Sequence, residues 1–408
     1  MIKISPFKAL RPEPQFAKQV ASRPYDVLNV KEAKTEAEGN PHSFLHITRA
    51  EIDLPAGTDT HSMEVYQKAK ENLDAFINRP VLFSENKPCY YIYRLRMNDH
   101  TQTGLVCCSS VADYEEGLVK KHEFTRPEKE LDRINHMKIT GAQTGNVFLA
   151  MRDVGELNEL VEKWTSEKNP VYNFITEDQV EHTIWVISDE KIMDQVTSLF
   201  IEKVPCTYIA DGHHRVASAA KVKDQLVDNR EAQTFLSTIF PESQLKIMDY
   251  NRVVKDMNGL SEKELLDKVN KNFSVTKVNE AYLPDQEHNF GMYLGGQWYK
   301  LTALDGTFSH DPISILDTSI LQNNLLEPVL GIKDQRTDTR IDFIGGIRGT
   351  TDLETRVNSG EMALAFTIFP VTMQQLFDVA DTGNVMPPKS TWFEPKLRDG
   401  LLTHLINE

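Results

Sequence analysis

Asp211, Gly212, His213, His214 and Arg215 occupy five consecutive positions between the apolar run "VPCTYIA" and the small-residue run "VASAAKVKDQL". The first run reads as a buried strand and the second as a helix packed closely on a sheet. The five polar residues therefore sit at a strand-to-helix corner. Unpaired backbone N–H groups and the positive end of a helix dipole meet there, and both favour an anion, most often a phosphate. Gly212 permits a φ-positive turn, Arg215 can grip phosphate oxygens in pairs, and His213 and His214 can donate hydrogen bonds or titrate near neutrality. The plainer reading makes Asp211 a helix N-cap and the two histidines surface residues. A metal reading is weaker, because adjacent histidines at a helix start point about 100° apart, unlike a His-x-x-x-His pair.

A second cluster, "GLVKKHEFTRPEKELDR", places Lys120, Lys121, His122 and Glu123 just before a helix. Two cations, an imidazole and a carboxylate there suit a phosphate site with a general base beside it. Thr125 with Glu128 predicts a capping box, and Lys129 with Asp132 or Arg133 predicts surface partners one turn apart. Towards the end of the chain, "MPPKSTWFEPKLRDGL" offers Lys389, Ser390 and Thr391 to an anion on a proline-fixed loop, which serves equally well as a packing loop. In "DQRTDTRIDFIGG", Arg336 and Arg340 fit a carboxylate or phosphate, while Asp334, Asp338 and Asp342 stand ready to neutralise them. Neither G-x-x-x-x-G-K-[ST] nor G-x-G-x-x-G occurs in a strand–helix context, which disfavours a P-loop or Rossmann site.

The elements that must hold these clusters follow from periodicity. The first 60 residues are proline-rich and irregular, with a short helical piece at 30–37, and are long enough to wrap a core or line a site. Helices are predicted at 62–78, from Pro127 to about 140, at 156–166, at 190–202 and, as one long helix, at 313–330. "CYYIYRLRM" and "GLVCCSS" read as a hairpin, and "NVFLAM", "HTIWVIS" and "MALAFTIFP" as further strands. Hairpins mixed with strand–helix units give an α+β or mixed α/β fold. The expected division is an N-terminal segment packed on the core (1–88), a core domain (89–251) and a C-terminal α/β domain (252–408).

Composition bounds the function. The chain of 408 residues carries 45 basic and 60 acidic residues, a net charge of −15, which repels polyanions and disfavours nucleic acid as a partner. A small anion in a pocket is still permitted, since short-range groups decide that equilibrium. No apolar run approaches the roughly 20 residues that span a bilayer, and the first residues lack a signal-peptide pattern, so no membrane is expected and the cytoplasm is the expected location. Cys89, Cys107, Cys108 and Cys206 show no metal-ligand spacing and read as reduced core residues.

The motifs "PFKALRP", "RPYDV", "NPHSFLHITRAEIDLP", "KKHEFTRPEKELDR", "YIADGHHR", "YNRVVKD" and "MPPKSTWFEPKL" occur in an order that closely resembles the family known as domain of unknown function 1015. "DGHHR" followed by alanines also resembles the nucleotide-binding loop of the ParB/sulfiredoxin-like superfamily, in which free-serine kinases occur. The resemblance implies a ParB/sulfiredoxin-like core whose Asp211, Gly212, His213, His214 and Arg215, helped by Lys121, bind the phosphates of ATP or ADP with Mg²⁺. It implies phosphoryl transfer to free L-serine, with Glu123 as the chosen base beside His122 and Asp26 and Glu51 as competing carboxylates. Arg336, Arg340 and Lys389 are the expected substrate contacts. The chain lacks an obvious basic helix-turn-helix and has no cysteine in the loop, so DNA partitioning and sulfinic-acid repair are not implied. A nucleotide-binding regulatory switch without turnover is the alternative, and a homodimer is the default expectation for an enzyme of this size.

Overall fold

The computed structural model describes residues 1–407. The chain forms two compact units, one built from Met1–Leu245 together with the chain from Pro395 onward, the other from Lys246–Glu394. Both mix helices with sheets, so the fold is mixed α/β.

The first unit is organised on a nine-stranded sheet. Its main path runs Val119–Lys120, Thr207–Asp211, Val147–Met151, Thr234–Pro241, His100–Ser110, Tyr90–Met97, Glu181–Ile187 and Tyr172–Ile175, and Ile4–Ser5 pairs additionally with His100–Ser110. The predicted hairpin is present with a two-residue turn at Asn98 and Asp99, where Met97 faces His100 and Asn98 takes φ +52°. Both faces of its first strand are buried. Tyr90 and Ile92 enter the main core, while the Tyr91 hydroxyl accepts the Ala9 N–H, which is why the strand reads as a continuous apolar run. Helices Pro127–Thr140 and His213–Gln225 pack against each other. The former starts with proline in its first turn and stops at Gly141, whose φ of +69° is the left-handed cap that ends the helix.

A small four-stranded sheet explains how the two ends of the chain join this unit. Ala9–Pro12 lies between Leu82–Ser84 and Thr403–Leu405, and Thr403–Leu405 pairs in turn with Ala142–Gln143. The return segment from Pro395 thereby brings Lys396 and Asp399 to the first unit.

The second unit carries a six-stranded antiparallel sheet, ordered Phe273–Val278, Gln297–Ala303, Asn289–Leu294, Leu364–Ile368, Tyr250–Val254 and Ile341–Gly345. The long helix expected at 313–330 is not formed. The chain instead makes a short helix, Asp317–Leu321, and a π-helical turn, Gln322–Leu326, in which the Glu327 N–H reaches back to the Gln322 carbonyl at 3.0 Å. Pro328 has no N–H to continue a helix, and the Gln322 and Asn324 side chains bond the backbone of Ile332 and Thr307. All four cysteines are free thiols, and Cys107 and Cys108 are fully buried with their pKa values raised by that burial.

Candidate functional site

The strand-to-helix corner forms as the sequence indicates. Strand Thr207–Asp211 ends in a register shift against Val147–Met151, Gly212 turns the chain at φ +98°, and helix His213–Gln225 starts at once. Gly212 is favoured by its φ, which lies in the left-handed region; a Cβ there would meet the Val147 Cα at 3.4 Å and the Arg215 side chain at 3.5 Å, ordinary contact distances. The helix has no side-chain cap. Asp211 does not turn onto it, contrary to the plainer reading of this residue, because its Oδ2 accepts a 2.8 Å bond from Nζ of Lys396. Burial alone would raise the Asp211 carboxyl, but Lys396 and Arg215 outweigh it and hold the group well below the usual carboxylate range.

The second cluster meets the first here. Val119–Lys120 pairs in parallel with the start of the corner strand, and the loop at 121–126 then passes over the helix start. The His122 N–H donates to Nε2 of His213 in a long 3.4 Å bond, and the Arg126 N–H donates to Nε2 of His214 at 3.0 Å. Both corner histidines are therefore acceptors at Nε2, which leaves the proton of each neutral ring on Nδ1. Nδ1 of His213 faces Oε2 of Glu123 at 3.9 Å, and the rings of His122 and His213 meet edge to face with centroids 4.6 Å apart. Burial is the main reason that protonation of His213 is pushed well below the usual histidine range and that of His122 down to about 4. Lys121 is exposed on the same loop. The expected Thr125–Glu128 capping box is absent. Helix Pro127–Thr140 has no side-chain cap, and the Thr125 hydroxyl instead donates to Glu130, which also binds Lys221. Asp132 likewise turns from Lys129 to Arg133, 2.6 Å away, and accepts the Tyr66 hydroxyl.

Arg215 occupies the centre of a buried charge network. Nη1 donates to the Asn146 carbonyl at 2.6 Å, and Nη2 lies 3.1 Å from both carboxylate oxygens of Asp26. Burial opposes its charge, yet Asp26 and Asp211 more than compensate and raise its pKa. Its Nε has no hydrogen-bond partner, nor has Oδ1 of Asn146. Arg215 also borders a cavity of about 30 Å³ lined by Tyr25, Arg133, Thr144 and Gly145, room for one water. The guanidinium of Arg133 stacks 3.9 Å from the Tyr25 ring centroid, and Arg215 lies 5.5 Å from the same ring. Asp399 is fully buried nearby. Its carboxyl is pushed up to about 7 by burial, which Arg215 and Arg133 only partly offset.

Tyr25, Arg133 and His136 also line a larger cavity of about 250 Å³, walled by Asp26, Glu51 and Asp132. Each of those three carboxylates faces an arginine: Asp26 with Arg215, Glu51 with Arg49 at 2.7 Å, and Asp132 with Arg133. The irregular N-terminal stretch therefore lines this cavity. Arg336, Arg340 and Lys389 belong to the second unit. There Arg336 pairs with Asp334 at 2.9 Å and Arg340 with Asp338 at 2.8 Å, while Nζ of Lys389 lies 5.6 Å from the Tyr250 ring centroid. Sequence reasoning overlooked Tyr25, Lys396 and Asp399 and took Arg133 for a surface partner of Lys129, whereas it is buried against Tyr25. All four stand inside quoted stretches, but nothing local marks them as partners of the corner.

Among the described residues, no group of three or more histidine, cysteine, aspartate or glutamate side chains could hold a metal by itself, and no helix is long and apolar enough to cross a membrane. Fold and site together define a mixed α/β protein with a polar, partly buried strand-to-helix corner beside a half-open cavity of mixed polar and apolar lining. The chain belongs to the family described as Protein of unknown function (DUF1015), whose profile matches residues 4–319. No curated protein matches it. Among solved structures, a free serine kinase in complex with AMP is similar at 13% identity and a TM-score of 0.38, covering 74% of this chain and 90% of that one. A conserved hypothetical protein from Pyrococcus furiosus has 14% identity and a TM-score of 0.36, with 73% and 94% covered. SbnI with C-terminal truncation from Staphylococcus aureus has 10% identity and a TM-score of 0.40, with 74% and 87% covered. Likeness at this level gives no residue-by-residue correspondence.

Proposed function

We propose that this protein is a small-molecule kinase that transfers a phosphoryl group from ATP or ADP to the hydroxyl of free L-serine, giving O-phosphoserine. The observation that carries the reading is the junction of corner and cavity: Arg215 belongs to the corner, Asp26 lines the 250 Å³ cavity, and the two are ion-paired. A cavity of that size suits a small polar acceptor, and its alternating carboxylates and arginines suit a molecule bearing both an ammonium and a carboxylate group.

In this reading the first N–H groups of helix His213–Gln225, with Lys121, hold the nucleotide phosphates. The serine oxygen bonds to the terminal phosphorus as the bond from that phosphorus to the departing nucleotide oxygen breaks, and Glu123 accepts the hydroxyl proton. Asp26 is the less suitable base, since both its oxygens already face Arg215. Mg²⁺ would be held by the nucleotide phosphates and water and so would need no cage of protein carboxylates; it would neutralise phosphate charge, which leaves Glu123 to take the proton. A regulatory switch without turnover is favoured by one feature, the commitment of both Nη atoms of Arg215 to protein groups. The test is calorimetric titration of ADP and of serine, each alone and then together. Binding of both ligands supports the kinase, whereas ADP binding without serine binding supports the switch.

A further inference from the structure

Phe124 is 67% exposed in a part of the molecule that is otherwise tightly held. An isolated exposed apolar residue is ordinary on a protein surface. The setting of this one is not, because the loop that carries it is tied to the corner on both sides. The His122 N–H is held by His213, and the Arg126 N–H by His214. The His122 ring is buried against His213, and the Thr125 hydroxyl is bound to Glu130. Phe124 thus stands two residues from each anchor, within about 8 Å of either along the chain. Its neighbour Glu123 reaches back to His213. At the same corner Arg215, with only 8% of its surface exposed, is held by Asn146 and Asp26, so the helix start beneath the loop is fixed as well.

We infer that Phe124 is the platform on which the base of the bound nucleotide stacks, so that the loop pinned by His213 and His214 joins a phosphate subsite to a nucleobase subsite. The inference rests on the proposed nucleotide site. Phosphates at the helix start leave the base to project one ribose further out, and Phe124 is the exposed aromatic ring on the loop that borders the helix start. Base-on-ring stacking tolerates any base, so purine and pyrimidine diphosphates both bind, the larger purines more tightly. The two histidines act as positioning residues for the loop and make no contact with the base.

The experiment compares ADP with inorganic pyrophosphate, which has the phosphates and no base, by titration calorimetry on the full chain. Wild type is expected to bind ADP more tightly than pyrophosphate. Phe124→Ala weakens ADP about 5- to 100-fold, the range expected for stacking on an aromatic ring, and leaves pyrophosphate unchanged. Phe124→Trp provides a second readout, since its fluorescence is quenched by ADP and not by pyrophosphate. Equal ADP affinity in wild type and Phe124→Ala, or no quenching of the tryptophan by bound ADP, overturns the platform while the phosphate site stands. Failure of wild type to bind either ligand overturns the nucleotide site and the platform with it.

Discussion

Asp26 presents both carboxylate oxygens to Nη2 of Arg215 at 3.1 Å, joining two residues 189 positions apart. Arg215 is almost fully buried and Asp26 partly so. Removing one member of such a pair strands the other charge, and the stranded charge costs more than the pair contributed. Asp26→Asn is expected to destabilise the protein by about 3 kcal/mol, the lower end of the range for buried pairs because Asp26 keeps some contact with water. Denaturant unfolding measures this, and a change below about 1 kcal/mol, the level of a surface pair, would show that the pair is not a structural tie.

Glu123 is assigned to take the serine proton. Glu123→Gln keeps the shape of the side chain and removes its basicity, so kcat should fall about 10²- to 10⁴-fold with little change in the KM for serine. Steady-state kinetics decide the point. An unchanged kcat would eliminate Glu123 and leave Asp26 or Glu51 as the base.

Lys396 covers the Asp211 carboxylate at 2.8 Å, next to the helix start. With Lys396→Met, Asp211 would either protonate or keep only the partial compensation of Arg215 beside the phosphates, and in its charged form would repel them. ADP binding should weaken about tenfold, and by a smaller factor in high salt, where the repulsion is screened. Affinity equal to wild type at low salt would place the phosphates away from Asp211.

The pH dependence of stability has a definite sign. Burial lowers His122 and His136 to about 4 and His182 to about 3, and lowers His213 and His214 as well. Below the ordinary histidine value the unfolded chain takes up protons that these folded rings refuse, so stability is lost as pH falls from about 6.5 towards 4. Each fully shifted ring contributes about 1.4 kcal/mol per pH unit over that window. Asp399 acts in the opposite direction. Its folded carboxyl, raised to about 7, takes up a proton before the unfolded chain does and favours the fold as pH falls from 7 to 4. Asp317, raised by burial to about 8, acts the same way, as do Asp113, Asp249 and His46, whose values are also raised. The five lowered histidines, three of them at about 4 or below, outweigh this group. Thermal unfolding midpoints from pH 7 to 4.5 should fall steeply, and His136→Gln, where Nε2 of the native ring bonds the Ile47 carbonyl, should flatten the slope. A flat profile for wild type would contradict the buried, neutral state of these rings.

The corner was legible because its evidence is local. A strand pattern, five polar residues and a helix pattern follow one another without a gap, and the structure places His213, His214 and Arg215 at a real helix start. The helix at Pro127–Thr140 and the hairpin at Tyr90–Ser110 were legible for the same reason. What surrounds the corner was not. Asp211 turns to Lys396, 185 residues away, and Arg215 turns to Asp26; pairings set by tertiary packing leave no periodic trace in sequence. Thr125 illustrates the failure in miniature. Its spacing to Glu128 matches a capping box, yet Glu130, two residues further along, takes the hydroxyl. The break of the 313–330 segment was partly visible in Pro328, but the π-turn depends on the bonds that Gln322 and Asn324 make to distant backbone.

Phosphoryl transfer itself is the central claim, and phosphorus NMR of the purified protein with Mg²⁺, ATP or ADP, and free L-serine tests it most directly. A phosphomonoester signal of O-phosphoserine growing with time, absent without serine and much reduced in Glu123→Gln, is the expected result. Bound nucleotide with no phosphomonoester at saturating serine would contradict the kinase and leave the corner as the sensor of a regulatory protein.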